Sequence, residues 1–104
     1  MAINNTNAVS TKLGVDVSST YIRLEIYLGT GQQAEIGYHV YADKAAYIAS
    51  EKMINNVLDF DFSNHGTGIL AAADVTLDNL HDLAIAELEV RGLDAAGLVK
   101  VDLA

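Results

Sequence analysis

A chain of 104 residues, 51% of them hydrophobic, is long enough for one domain with one core and too apolar to be disordered. Fourteen acidic against six basic residues give a net charge of −8, and the basic residues are scattered, which argues against binding to nucleic acid or anionic lipid. Cysteine and proline are absent, which removes disulfides, thiolate metal sites, cysteine nucleophiles and proline turns together.

Residues 1–11 are polar, rich in Asn and Thr, and without period, so they are expected to form a flexible N-terminal arm ahead of a single domain over 12–104. The start lacks the basic and apolar blocks of a signal peptide. No apolar run approaches the ~18 residues needed to cross a bilayer. The expectation is a soluble, cytoplasmic protein, or a virion protein if the chain comes from a phage.

Leu13, Val15 and Val17 alternate with polar residues and predict a strand over 12–17. Two longer alternating runs follow, over 19–28 and 33–41, and read as a β-hairpin. Its register follows from burial: pairing Leu28 with Ala34, Ile26 with Ile36, Leu24 with Tyr38 and Ile22 with Val40 keeps one face apolar. A shift of one residue would set Ile26 against Glu35 and mix the faces. The loop is then Thr30-Gly31-Gln32, with Gly31 supplying a positive φ. The same register puts Tyr21 beside Tyr41 and Arg23 beside His39 on the second face, which also carries Tyr27. A sheet face left to water is ordinarily polar. Tyrosines there predict a cover.

After Tyr41 the period becomes helical. Asp43 is a suitable N-cap, and Ala46, Ala49, Met53, Ile54 and Val57 predict a helix over 43–58. Segment 59–75 is either a loop or a short strand at Phe60 and Phe62 answered by residues 69–73. A second helix is predicted over 77–91, capped by Thr76 or Asp74, with Leu77, Leu80, Leu83, Ala84 and Leu88 as its buried stripe and Gly92 as its C-terminal stop. Residues 98–103 alternate again, with Val99, Val101 and Leu103 expected inward. The order predicts an α+β fold: a mainly antiparallel sheet with both helices on one face, leaving the tyrosine face open.

The chemistry is sparse. Neither Gly-Thr-Gly triplet, at 29–31 or 66–68, is followed by the Lys-Ser/Thr pair of a phosphate loop, and turn geometry accounts for both. Asp59, Asp61, Ser63 and Asn64 imitate the start of a calcium loop, but Asn64 stands where glycine is needed and Leu70 where the bidentate acid is needed. His39, His65 and His81 share no zinc spacing, so no metal and no cofactor is expected. His65 lies in a glycine-rich segment suited to catalysis but has no partner in the pattern.

The reading is therefore a non-enzymatic, homo-oligomerising assembly module, for example a minor phage virion component. Its interface would be Tyr21, Arg23, Tyr27, His39 and Tyr41, and its partners further copies or other assembly proteins. The alternative is a small-ligand protein or enzyme on a dimeric α+β barrel, with Tyr21, Tyr38, His39 and Tyr41 around a pocket.

Overall fold

The computed structural model describes residues 1–102. It is an α+β structure whose main sheet has five antiparallel strands. In chain order the elements are β1 (Ala2–Asn5), β2 (Val9–Ser10), β3 (Asp16–Val17), β4 (Thr20–Leu28), β5 (Gln33–Tyr41), α1 (Lys44–Ile48), β6 (His65–Ile69), α2 (Leu77–Val90) and β7 (Leu98–Val101). The main sheet runs β6-β5-β4-β1-β7, and β2 and β3 form a separate two-stranded ribbon.

The β4–β5 hairpin has the register that burial demands, with Ile22 opposite Val40, Leu24 opposite Tyr38, Ile26 opposite Ile36 and Leu28 opposite Ala34. Gly29 N–H donates to Gln33 C=O at 2.8 Å, and the turn is a single 3-10 step in which Gly31 has φ +70°. Gln32 also takes a positive φ of 63°, an αL conformation that costs a non-glycine residue some strain.

The amino terminus departs from expectation. Instead of a flexible arm, residues 2–5 form β1, an inner strand between β4 and β7, with Ala2, Ile3 and Asn5 fully buried. Ile3 lies opposite Ile22 and joins the core. The asparagines that suggest disorder satisfy one another here. Asn5 Nδ2 donates to Thr20 Oγ1, and Asn5 Oδ1 accepts from both Asn7 N–H and Asn7 Nδ2, each at 2.9 Å. A buried amide with all its groups paired is tolerated where an unpaired one would cost about 1–3 kcal/mol.

The 12–17 strand shrinks to β3, which pairs with β2 outside the main sheet. The alternation of Leu13 and Val15 does not signal burial, since Leu13 is 89% exposed at the tip of the ribbon. Thr11 closes that tip by donating from N–H and Oγ1 to Val15 C=O.

The first helix starts as predicted, with Ala46 N–H donating to Asp43 Oδ1 at 2.7 Å, but ends at Ile48. Ser50 turns into the left-handed region (φ +57°), and Glu51 N–H returns to Ala46 C=O. That is a Schellman-type stop with serine where glycine is usual. The chain beyond then runs along the edge of β5. Ile54 N–H donates to Val40 C=O, Val40 N–H donates to Asn55 Oδ1 at 2.8 Å, and Asn55 Nδ2 donates to Tyr38 C=O at 2.7 Å. One side-chain amide thus pairs backbone groups that a neighbouring strand would otherwise pair.

The helices also divide between the faces. Ala84 and Leu88 of α2 pack with Ile22, Ile36, Tyr38 and Val40 on the Ile/Leu face, and Phe62, Leu93 and Leu98 complete the core. Tyr47 of α1 sits on the other face, its ring centroid 5.8 Å from Tyr21 and 5.3 Å from Tyr41. Within 59–75 the strand is His65–Ile69, and Phe62 is a buried ring beside Tyr38 and Phe60.

In α2, Thr76 is the N-cap, accepting from Asn79 N–H, and Gly92 (φ +119°) follows the last turn. Its buried positions are Leu80, His81, Ala84 and Leu88, whereas Leu77 is exposed. The parity of β7 is the reverse of that expected. Leu98 is buried and Val99 is 49% exposed. Lys100 shares the Leu98 side and places Nζ 2.7 Å from carboxylate oxygens of both Asp78 and Asp82. A lysine stem can lie along an apolar surface with its charge satisfied at the end. Leu103, predicted inward with this strand, lies outside the described residues.

Candidate functional site

The five residues expected at an interface all lie on the tyrosine face, in two groups. The first surrounds Tyr47. Tyr21 is buried beneath it, Tyr41 meets its edge, and the Arg23 guanidinium lies 4.9 Å from its ring centroid. Arg23 Nη1 also donates to Met1 C=O at 2.7 Å. These residues cover one end of the face from within the chain, so part of the cover required by the tyrosines is intramolecular.

The second group is open. Glu25 sits between Tyr27 and His39: the Tyr27 hydroxyl donates to Glu25 Oε1, and His39 Nε2 lies 2.6 Å from Glu25 Oε2. The Tyr27 hydrogen bond first, and then the His39 contact, hold the Glu25 carboxyl below its ordinary range. The same bond raises the Tyr27 phenol, because losing its proton would set two negative charges together. Tyr27 is 51% exposed. Alternation along β4 puts Glu25 on the same face as Tyr27, and a carboxylate two residues from a tyrosine on one strand face is a legible signal.

Tyr38 does not converge with Tyr21, His39 and Tyr41. It points to the opposite face, as the alternation of β5 requires. There its hydroxyl shares a hydrogen bond with His65 Nε2 at 2.7 Å and donates to Ala84 C=O at 3.4 Å. Its ring stacks on His65 (5.7 Å) and faces the Arg91 guanidinium (5.7 Å). Arg91 is itself held by Glu87 at 3.1 Å and by the carbonyls of Asp61 and Ser63. Burial pushes the Tyr38 phenol well above its ordinary value, so it remains protonated. His65 thus gains a partner because β6 pairs with β5, a contact that only the sheet order creates. Beside it an open groove of about 250 Å³ runs between β6 and α2, lined by Thr67, Leu83, Glu87 and Val90.

His81 is buried in α2, and its Nδ1–H donates to Leu77 C=O at 2.7 Å. Burial is the main cause of its lowered pKa. Its Nε2 and the Tyr21 hydroxyl are buried polar atoms without a hydrogen-bond partner among the described residues. Asp61 accepts from Ser63 N–H within a local turn, and the Ser63 side chain first and this N–H second lower its pKa. Among the described residues no three histidine or carboxylate side chains are grouped to hold a metal ion. No helix there is long and apolar enough to cross a membrane. The groove beside Tyr27 (about 360 Å³) runs towards the hairpin tip, and that beside Tyr41 (about 500 Å³) runs towards residues 51–56; His39 lines neither.

Set against known protein families, curated proteins and solved structures, the chain matches none of them. Any functional reading therefore rests on this geometry.

Proposed function

We propose that the protein is a non-enzymatic assembly module that associates with copies of itself through the open part of its sheet. The observation that carries this reading is the stretch of the tyrosine face beyond Tyr47. Half-exposed Tyr27 there is hydrogen-bonded to Glu25, which also holds His39. A buried aromatic removes roughly 150–250 Å² from water, so covering Tyr27 would contribute to a contact. The net charge of −8 opposes association at long range. Arg23 and Glu25 place both signs of charge on this face. The separation of Tyr38 from His39 by the thickness of the sheet argues against one pocket formed by Tyr21, Tyr38, His39 and Tyr41. Size and composition suit a small building block of a larger particle, such as a phage virion. Sedimentation velocity and light scattering test the reading: oligomers are expected at tens of micromolar, and a clean monomer there overturns it.

A further inference from the structure

We infer that the contact is made by β7, which pairs antiparallel with β7 of a second copy about a two-fold axis at Lys100. This rests on the self-association proposed above and places its first contact at the sheet edge, which sets two open tyrosine faces side by side for further copies to cover. The two edges of the sheet differ. β6 pairs with β5 through a register shift between Gln33 and Glu35, contains Gly66 and Gly68, and has Gly68 at φ +72°. An irregular, glycine-rich edge is a poor template for another strand. β7 is regular along all of Leu98–Val101.

The hydrogen-bond phase identifies the backbone groups that β7 leaves outward. Thr6 N–H donates to Gly97 C=O at 2.8 Å, and the register sets Asn4 opposite Val99 and Ala2 opposite Val101. In an antiparallel ladder hydrogen-bonded pairs alternate with non-bonded ones. Val99 and Val101 therefore bond to β1, while Leu98 and Lys100 direct their backbone groups away from the sheet. Leu98 N–H is already taken by Ala95 C=O. The outward groups of this strand are Leu98 C=O and both groups of Lys100.

A two-fold axis at Lys100 accommodates these groups. Lys100 N–H of each copy meets Lys100 C=O of the other, and Asp102 N–H reaches Leu98 C=O across the axis. Centring the axis on Val99 would instead set Lys100 C=O against the occupied Leu98 N–H. The Lys100 register also places Val99 of each copy opposite Val101 of the other on the tyrosine face, where β-branched cross-strand pairs are favourable. Two lysines facing each other would ordinarily repel. Here each ammonium lies between Asp78 and Asp82 of its own chain, so the axis is flanked by both charges. The product is one continuous sheet whose open tyrosine faces are joined. Two four-residue edges form less than a standard interface of ~1,200–2,000 Å², so the association should depend on concentration.

Amide exchange in the intact protein tests this. The Lys100 amide is expected to exchange freely in dilute solution and about tenfold or more slowly once the protein is concentrated into its oligomer. Lys100→Pro, which removes an outward N–H without touching the β1 ladder, should give a folded monomer by circular dichroism and sedimentation. Lys100→Arg, which keeps that N–H and the positive charge between Asp78 and Asp82, should still associate. An oligomer whose Lys100 amide exchanges at the dilute rate overturns the β7 pairing and leaves the assembly reading standing. A Lys100 amide protected at every concentration also overturns the pairing, because the edge would then be covered within one chain. A monomer at every concentration overturns both.

Discussion

Replacing Asn55 tests whether one side chain serves as the missing neighbour of β5. Its amide accepts from Val40 N–H at 2.8 Å and donates to Tyr38 C=O at 2.7 Å. Each hydrogen bond contributes about 0.5–1.5 kcal/mol net, and an N–H left unpaired in a buried setting costs about 1–3 kcal/mol. Val40 is fully buried, so water cannot readily replace the lost acceptor. Asn55→Ala should therefore cost about 2–3 kcal/mol, a large part of the ~5–15 kcal/mol typical of a domain. Asn55→Asp keeps the acceptor for Val40 but sets a carboxylate against the Tyr38 carbonyl. It should be destabilised at neutral pH and recover in part on acidification, when the protonated acid can donate. Urea unfolding followed by circular dichroism measures the loss, and amide exchange at Val40 locates it. An Asn55→Ala protein within about 0.5 kcal/mol of the parent, with Val40 exchange unchanged, would refute the reasoning.

Two further outcomes are expected. Ile3→Ala should cost about 2–5 kcal/mol in urea unfolding, because Ile3 is fully buried opposite Ile22; in a free arm the change would stay within about 0.5 kcal/mol. His81 should make stability fall with acidity. Its native pKa is lowered chiefly by burial, so the unfolded chain takes up the proton first. The contribution is complete above the unfolded value of about 6.5, shrinks as pH drops towards the native value, and levels off below it. Urea midpoints across that window should show a slope that His81→Gln flattens, and an equal slope in both proteins would remove His81 as its source.

The hairpin was legible because its residues answer one another at a period of two, and a one-residue slip would exchange the faces. Helix α2 was legible for a similar reason: a cap at Thr76, a stop at Gly92 and a stripe through Leu80, Ala84 and Leu88 all agree. The pattern could place Tyr21, Arg23, Tyr27, His39 and Tyr41 on one face and Tyr38 on the other, since alternation alone decides that. It could not reveal that Glu25 links Tyr27 to His39, or that His65 meets Tyr38, because those contacts depend on side-chain reach and sheet order.

Local pattern determined the α+β class and the register of the longest hairpin, because both follow from short-range alternation. Tertiary structure decided where the ambiguous segments went. Polar Asn5 could enter the interior only once Thr20 and Asn7 paired its amide. The first helix could stop at Ile48 because Asn55 and Ile54 bond better along β5 than a continuing helix would allow. Lys100 could turn inward only because Asp78 and Asp82 stand above it on α2. In each case a polar residue that local propensity assigns to water found its partners across the fold, and burial followed from those partners.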